Sequence, residues 1–142
     1  MIEKIVDTAG NEIALIIRKD FHSEKTAFFS KNEYSQQLGI ISYPKDGSIK
    51  PHYHNKVQRE VQLTQEVLVI RRGKVQVNLF DKGLSFLCSV VLSEHDVIFL
   101  ISGGHGFDML EDSEMLEVKQ GPYSGVSNDK THFSGTIGTE PK

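Results

Sequence analysis

Residues 66–83 read EVLVIRRGKVQVNLFDKG and carry the clearest structural signal in the chain. The first half is a short apolar run, and the second half alternates apolar and polar residues with the period of a half-buried strand. Gly73 separates the two halves, and glycine suits the backbone of a tight turn. The pattern predicts strands over 66–72 and 74–80 that pair as a hairpin around Gly73.

Short apolar runs recur on both sides of this stretch, separated by turn residues. They are residues 11–18 (NEIALIIR), 38–43 (LGIISY), 84–92 (LSFLCSVVL), 96–101 (DVIFLI) and 113–120 (SEMLEVKQ). No segment keeps a helical period over three turns, and residues 31–38 are expected to form one helical turn at most. Many short strands at this spacing predict an all-β protein, built as an antiparallel sandwich or a closed barrel.

The composition is that of one ordinary soluble domain, with 142 residues, 38% hydrophobic and 25% charged. A net charge of -3 gives no electrostatic basis for binding nucleic acid or an anionic membrane. No apolar run is long enough to span a bilayer, and charges near the N-terminus argue against a signal peptide. The single cysteine, Cys88, lies in an apolar run and is expected to be buried. Because it cannot form an internal disulfide, a cytoplasmic location is expected.

The composition changes after residue 120. Residues 121–142 are rich in Gly, Ser, Thr and Asn and poor in large apolar side chains. We expect an ordered turn over 121–123 and increasing mobility beyond it. The sequence therefore predicts a barrel domain over 1–120, including its N-terminal strands, and a polar, partly mobile tail over 121–142.

The histidines of GSIKPHYH, residues 47–54, are the first indication of chemistry. Pro51 disfavours a helical conformation for the residue before it, so the segment is expected to be extended. Residues two apart on an extended segment point to the same side, which directs the imidazoles of His52 and His54 into one space. Imidazole is a ligand for Zn, Fe, Ni, Cu and Mn. A hydrogen-bonded or surface-exposed pair has the same spacing.

Two further residues fit a metal site. Glu66 opens the strand predicted over 66–72, and strand parity places it on one face with Leu68 and Ile70. A carboxylate that faces a barrel interior is costly unless it is paired or binds a metal. His105 follows the glycine pair of SGGH, and a sharp turn there would return a third imidazole toward the first two.

Together these residues resemble the two sequence motifs of the cupin superfamily, over about residues 38–120. The positions that match the first motif are Gly47, His52, His54, Glu66 and Gly73, with six residues between the last two. The segment DVIFLISGGH resembles the second motif, with His105 in the place of its histidine. The resemblance implies an all-β, cupin-type double-stranded β-helix (a jelly-roll barrel) in a single domain. It also implies a divalent metal, Zn, Fe, Mn or Ni, with His52, His54, Glu66 and His105 as ligands.

The sequence departs from the cupin pattern in three places. Eleven residues separate His54 from Glu66, where the family has three or four, so Glu60 is a rival for the carboxylate role. The second motif lacks its usual opening glycine and has Leu100 in place of its proline. Its closing asparagine has no clear counterpart, since Asp108 or Met109 stands near that place.

The resemblance leaves three functions open. The first is an enzyme, an isomerase or a dioxygenase, whose metal acts as a Lewis acid or oxygen-binding centre. Its substrate would be a small oxygen-rich molecule such as a sugar, a hydroxy-ketone or a keto acid. The second is a metal-free nucleotide-sugar epimerase or ketoisomerase with His52 or His54 as general base. The third is a non-catalytic module that binds a small ligand. A homodimer is expected, because small cupins commonly pair by strand addition.

Other polar residues are expected to lie outside the site. They are His22, His95 and His132 in polar stretches, and Arg71, Arg72 and Lys74 around a solvated turn. For these three cationic residues the alternative is an anion-binding rim for a phosphate or carboxylate ligand. Residues 55–65, next to the histidine pair, are expected either to shape a substrate pocket or to form a plain extended edge.

Overall fold

A computed structural model describes residues 1–138. Their regular structure is almost entirely β, as predicted, and neighbouring strands are antiparallel. The strands are β1 (Ile2–Val6), β2 (Glu12–Ile17), β3 (Ala27–Phe28), β4 (Gly39–Ile40), β5 (Glu66–Arg72), β6 (Lys74–Phe80), β7 (Phe86–Ser93), β8 (Val97–Leu100), β9 (Gly104–Met109) and β10 (Glu114–Lys119). One short helix, α1 (Val126–Asp129), follows the last strand. No helix in this part of the chain is long and apolar enough to cross a membrane.

The chain divides into two compact units, which are described separately. The larger unit contains Met1–Phe21 and the chain from Thr64 onward, and it holds every strand except β3 and β4. The smaller unit is His22–Leu63. The expected boundary between a barrel over 1–120 and a tail over 121–142 stays a prediction.

A five-stranded sheet in the order β1-β2-β8-β5-β10 forms one side of the larger unit. Its central strands are apolar, and one face carries Ile16, Ile98 and Leu68 in register across three strands. All three side chains are buried. Each such residue contributes about 1.5–3 kcal/mol by leaving water. The same face ends at Glu66, which lies opposite Leu100 on β8.

A three-stranded sheet in the order β7-β6-β9 supplies the other half of the core. Val75, Val77 and Leu79 are fully buried, as their alternation predicts, and they belong to one apolar cluster with the side chains of the five-stranded sheet. Cys88 on β7 packs against this cluster but is only half-buried, so the expectation of a buried thiol holds in part.

Gly73 lies where the chain turns from one sheet into the other. The predicted hairpin is therefore wrong. The strand bounds 66–72 and 74–80 match the prediction, but β5 pairs with β8 and β10, whereas β6 pairs with β7 and β9. Gly73 has a φ of 84°, a conformation that glycine adopts without strain. It lets the chain leave the five-stranded sheet and enter the three-stranded one.

Three strands were not expected from the sequence: β1, β9 and the two-residue β3. β1 is short and mixes charged with apolar residues, so its alternation is weak. β9 begins at Gly104, because the turn predicted for the glycine pair is confined to Gly103, with a φ of 73°. His105 therefore lies inside a strand, opposite Leu79 on β6, and not in a turn.

The smaller unit has little regular structure. The strand expected over 38–43 is reduced to Gly39–Ile40, which pairs with Ala27–Phe28. Residues 31–38 form a turn in which the Tyr34 amide donates to the Lys31 carbonyl at 3.1 Å. Residues 41–63 contain no strand.

The last described residues of the larger unit pack against the three-stranded sheet through the aromatic side chain of Phe133. Residues 129–137 are called the C-terminal strap below. Its first residue, Asp129, is the last residue of α1, and the strap contains no strand. Phe133 makes an edge contact with Phe80, with ring centroids 5.1 Å apart. Most of the strap is exposed, as expected of a polar tail, but this contact fixes it to the three-stranded sheet.

Candidate functional site

The larger unit contains a cavity of about 670 Å³. Its walls come from the start of β5, from β6 and β9, and from the C-terminal strap. The polar side chains that line it are Thr64, Glu66, Asn78, His105, Asp108, Asp129, Lys130, Thr131 and His132. This volume lies in the range of small-molecule sites.

Glu66 and His105 form a half-buried polar contact in the wall of the cavity. Glu66 Oε2 lies 3.2 Å from His105 Nε2, and their side chains are 13% and 30% exposed. The two residues come from different sheets, because Glu66 opens β5 and His105 lies on β9. The hydrogen bond from His105 lowers the pKa of the Glu66 carboxyl, against the opposing effect of burial. The carboxylate therefore stays ionised and fixes the orientation of the imidazole.

A second carboxyl lies against Glu66. Glu117 on β10 is diagonal to Glu66 on the same sheet face, since Leu68 pairs with Glu117 and Glu66 pairs with Lys119. Burial raises the pKa of Glu117, and the negative charge and hydrogen bond of Glu66 raise it further. The pKa values of the two carboxyls are therefore shifted in opposite directions, with that of Glu66 lowered and that of Glu117 raised.

Asn78 organises the polar wall on the other face of the three-stranded sheet. It is 5% exposed, and its Oδ1 accepts from Gln76 Nε2 at 3.0 Å and from Ser89 Oγ at 2.6 Å. Its Nδ2 donates to Asp108 Oδ2 at 2.7 Å. Because Asn78 is satisfied and fixed, it holds the Asp108 carboxylate in one orientation beside the cavity.

Gly106 leaves an opening in this wall. It lies on β9 opposite Asn78, and a Cβ added there would meet no atom within 4 Å. The space that a side chain at position 106 would fill is therefore part of the cavity.

The other two predicted metal ligands lie in the smaller unit. His52 and His54 are exposed, and their rings meet edge to face with centroids 5.4 Å apart. His52 Nδ1 contacts the Lys50 carbonyl oxygen at 2.9 Å. Glu60, the rival carboxylate, is exposed and accepts from Gln62 Nε2 at 3.2 Å. The structure thus brings His52 to His54, and Glu66 to His105.

The separation of 3.2 Å between Glu66 Oε2 and His105 Nε2 is that of a hydrogen bond. Within residues 1–138, no group of three or more His, Cys, Asp or Glu side chains is arranged to hold a metal ion. The four-ligand set of His52, His54, Glu66 and His105 stays a prediction.

The residues expected to lie outside the site mostly do so. His95 is exposed in a turn, and Arg71 and Lys74 form exposed ion pairs with Glu114 and Glu111, both at 3.3 Å. These side chains fit a solvated surface. His132 is the exception, because it lines the cavity.

Three residues in or next to the site were not predicted from the sequence: Asn78, Glu117 and His132. Asn78 stands at a polar position of the alternation in β6, so nothing in the sequence indicated that it is buried in a polar network. Glu117 shares strand parity with Met115, which packs on the core, so parity could have directed it inward. His132 precedes Phe133, a large apolar residue in a polar tail, and that anchor was the available signal.

Comparisons with known proteins give no relative for this chain. No protein-family model, no curated protein and no solved structure matches it.

Proposed function

We propose that this chain is a cupin-like enzyme whose substrate binds in the cavity, with Glu66 and His105 as its reactive groups. The observation that carries the proposal is the 3.2 Å contact between Glu66 Oε2 and His105 Nε2 inside a cavity of about 670 Å³. A half-buried imidazole held by an ionised carboxylate is a common arrangement for metal binding or proton transfer.

We propose a double-stranded β-helix, the jelly-roll barrel, as the fold of the larger unit. The support is the path of the chain, which passes from one sheet to the other between β5 and β6, β7 and β8, β8 and β9, and β9 and β10. This alternation between two antiparallel sheets is the winding that a jelly roll requires.

The proposed form of the site is metal-dependent. Glu66 and His105 would supply two ligands, and the resemblance adds His52 and His54 to the set. The donors are imidazole and carboxylate, which suit Zn, Fe, Mn or Ni. A bound divalent ion would polarise an oxygen of a sugar, hydroxy-ketone or keto acid. Glu117, through its hydrogen bond, would hold the Glu66 carboxylate in place.

A metal-free enzyme is the second candidate, and the direct contact of Glu66 with His105 favours it. A carboxylate that accepts a hydrogen bond from imidazole orients the ring and stabilises its protonated form. His105 would then be the general base of an epimerase or ketoisomerase. It replaces His52 and His54 in that role because it lines the cavity. The third candidate, a module that only binds a ligand, would need the cavity but not the contact between Glu66 and His105.

Metal analysis of protein purified without a histidine tag tests the proposal. Near-stoichiometric metal in the wild type, lost in His105→Ala and in the His52→Ala/His54→Ala double variant, supports the metal-dependent enzyme. His95→Ala is the matched control, because His95 is exposed and outside the cavity. Full metal content in both site variants contradicts the ligand set.

Activity assays separate the remaining candidates. Metal-free protein that converts a nucleotide sugar, and loses the activity in His105→Ala but not in His95→Ala, supports the second candidate. Metal-free protein that converts none of a panel of sugars, hydroxy-ketones and keto acids leaves the ligand-binding module.

A further inference from the structure

The C-terminal strap forms one wall of the cavity. Residues 129–133, with Gly135 and Ile137, line it opposite the strands that carry Glu66 and His105. The cavity therefore depends on a segment that has no strand pairing of its own.

Two glycines allow the strap to dock. A Cβ on Gly135 would lie 2.6 Å from Phe80 Cζ, and a Cβ on Gly104 would lie 2.8 Å from Phe133 Cζ. Both distances are shorter than a van der Waals contact, so the absent side chains let the strap and the sheet approach each other. At its other end the strap is held to β10 by the ion pair between Asp129 and Lys119, at 3.1 Å.

The docked strap adds Lys130 and His132 to the lining of a cavity in which Glu66, Asp108 and Asp129 have partners. Glu66 contacts His105, Asp108 accepts from Asn78, and Asp129 pairs with Lys119. In contrast, the Lys130 ammonium and the His132 ring make no hydrogen bond or ion pair with any residue of 1–138. Both side chains are therefore available to a ligand, and the charge of Lys130 also acts on the Glu117 carboxyl.

We propose that Lys130 and His132 form an anion subsite of the cavity, which binds a phosphate or carboxylate group of the substrate. This inference rests on the proposed function, because it names the charged part of the molecule that Glu66 and His105 act on. Lys130 contributes its charge, and His132 donates a ring N–H to an oxygen of the anion.

Titration of the full chain with inorganic phosphate, followed by NMR, tests the subsite. Phosphate is expected to bind and to shift the signals of Lys130 and His132. Lys130→Met and His132→Ala are each expected to weaken binding about tenfold, the loss of one charge-assisted hydrogen bond. Lys4→Met is the control, because Lys4 is an exposed lysine on β1 outside the cavity. A parallel titration with malonate decides between phosphate and carboxylate as the preferred anion.

The docking of the strap gives an independent test. Gly135→Val is expected to displace the strap through its overlap with Phe80 and to weaken phosphate binding as much as Lys130→Met. Ser134→Val adds similar bulk at an exposed neighbouring position and is expected to bind phosphate normally. Wild-type affinity in Lys130→Met and His132→Ala, or absence of binding to both anions in the wild type, overturns the subsite.

The two proposals can fail separately. If both anions fail to bind while His105→Ala still abolishes metal binding or turnover, only the anion subsite is wrong. If phosphate binds through Lys130 while the protein holds no metal and has no activity, the subsite stands and the catalytic role of Glu66 and His105 is wrong.

Discussion

Arg18 Nη1 donates to Asp96 Oδ2 at 3.0 Å and joins the end of β2 to the turn before β8. The Asp96 carboxylate is 4% exposed and also accepts from the backbone amides of Lys19 and Ser93, both at 2.9 Å. On its other side Arg18 pairs with Glu3 at 2.6 Å, and this hydrogen bond is the main reason that the pKa of Arg18 is raised. One buried carboxylate thus holds three segments together.

Asp96→Ala is expected to destabilise the protein by about 3 kcal/mol, because it leaves two part-buried amides without their acceptor and removes the buried partner of the Arg18 guanidinium. Urea unfolding measures the loss. Asp20→Ala removes an exposed carboxylate that pairs only with the N-terminus, and it is expected to cost less than about 0.5 kcal/mol. Equal losses in the two variants would show that burial of Asp96 does not matter.

Gly73→Ala is expected to destabilise the protein by about 2 kcal/mol or more. Gly73 has a φ of 84°, and an added Cβ would overlap the carbonyl oxygen of Asp112. Gly10→Ala is the matched control, since Gly10 has the same φ but nothing within 4 Å of the added Cβ. Thermal or urea unfolding should show the larger loss at Gly73, and the difference between the variants measures the steric part.

The sequence predicted where β5 and β6 begin and end, but it did not predict which strands they pair with. The bounds of β5 and β6 follow from local alternation, and both were predicted at their observed residues. The choice of partners does not follow, because it depends on contacts such as Glu66 with Leu100, which are far apart in the chain. A glycine between two strands fits a hairpin and a corner between sheets equally well.

The sequence likewise predicted some features of the candidate site and not others. Parity predicted that Glu66 shares a face with buried Leu68 and Ile70, and the structure confirms this. Neither the bond from Asn78 to Asp108 nor the docking of Phe133 could be predicted, because each requires the register or packing of segments distant in sequence. Local patterns therefore singled out Glu66 and His105 but not the walls around them.

Asp7 is expected to titrate below its ordinary pKa of 3.8. Its carboxylate accepts from the side chain and the backbone amide of Asn11 and from the amide of Ala9, all of which favour the ionised form. Folding is therefore favoured by this group above the unfolded pKa, about 3.9, and the contribution is lost as the pH falls through the lower folded pKa.

NMR titration of the Asp7 carboxyl checks this directly. Asp7→Asn keeps an acceptor oxygen but has no charge to titrate, so its stability is expected to fall less than that of the wild type between pH 5 and pH 2. An Asp7 midpoint above the ordinary value would contradict the prediction.

Gly106→Leu is expected to fill the cavity without weakening the fold. The backbone at Gly106 is not in the left-handed region, and the added Cβ meets no atom, so the side chain can extend into the space beside Asn78 and Asp108. The melting temperature should stay within a few degrees of the wild type, whereas the NMR affinity for inorganic phosphate should be lost. Gly106→Ala, which adds only one methyl group, should leave both properties unchanged. A large drop in melting temperature for Gly106→Leu would mean that the wall is closed at this position, and unchanged phosphate affinity would mean that the ligand does not use this part of the cavity.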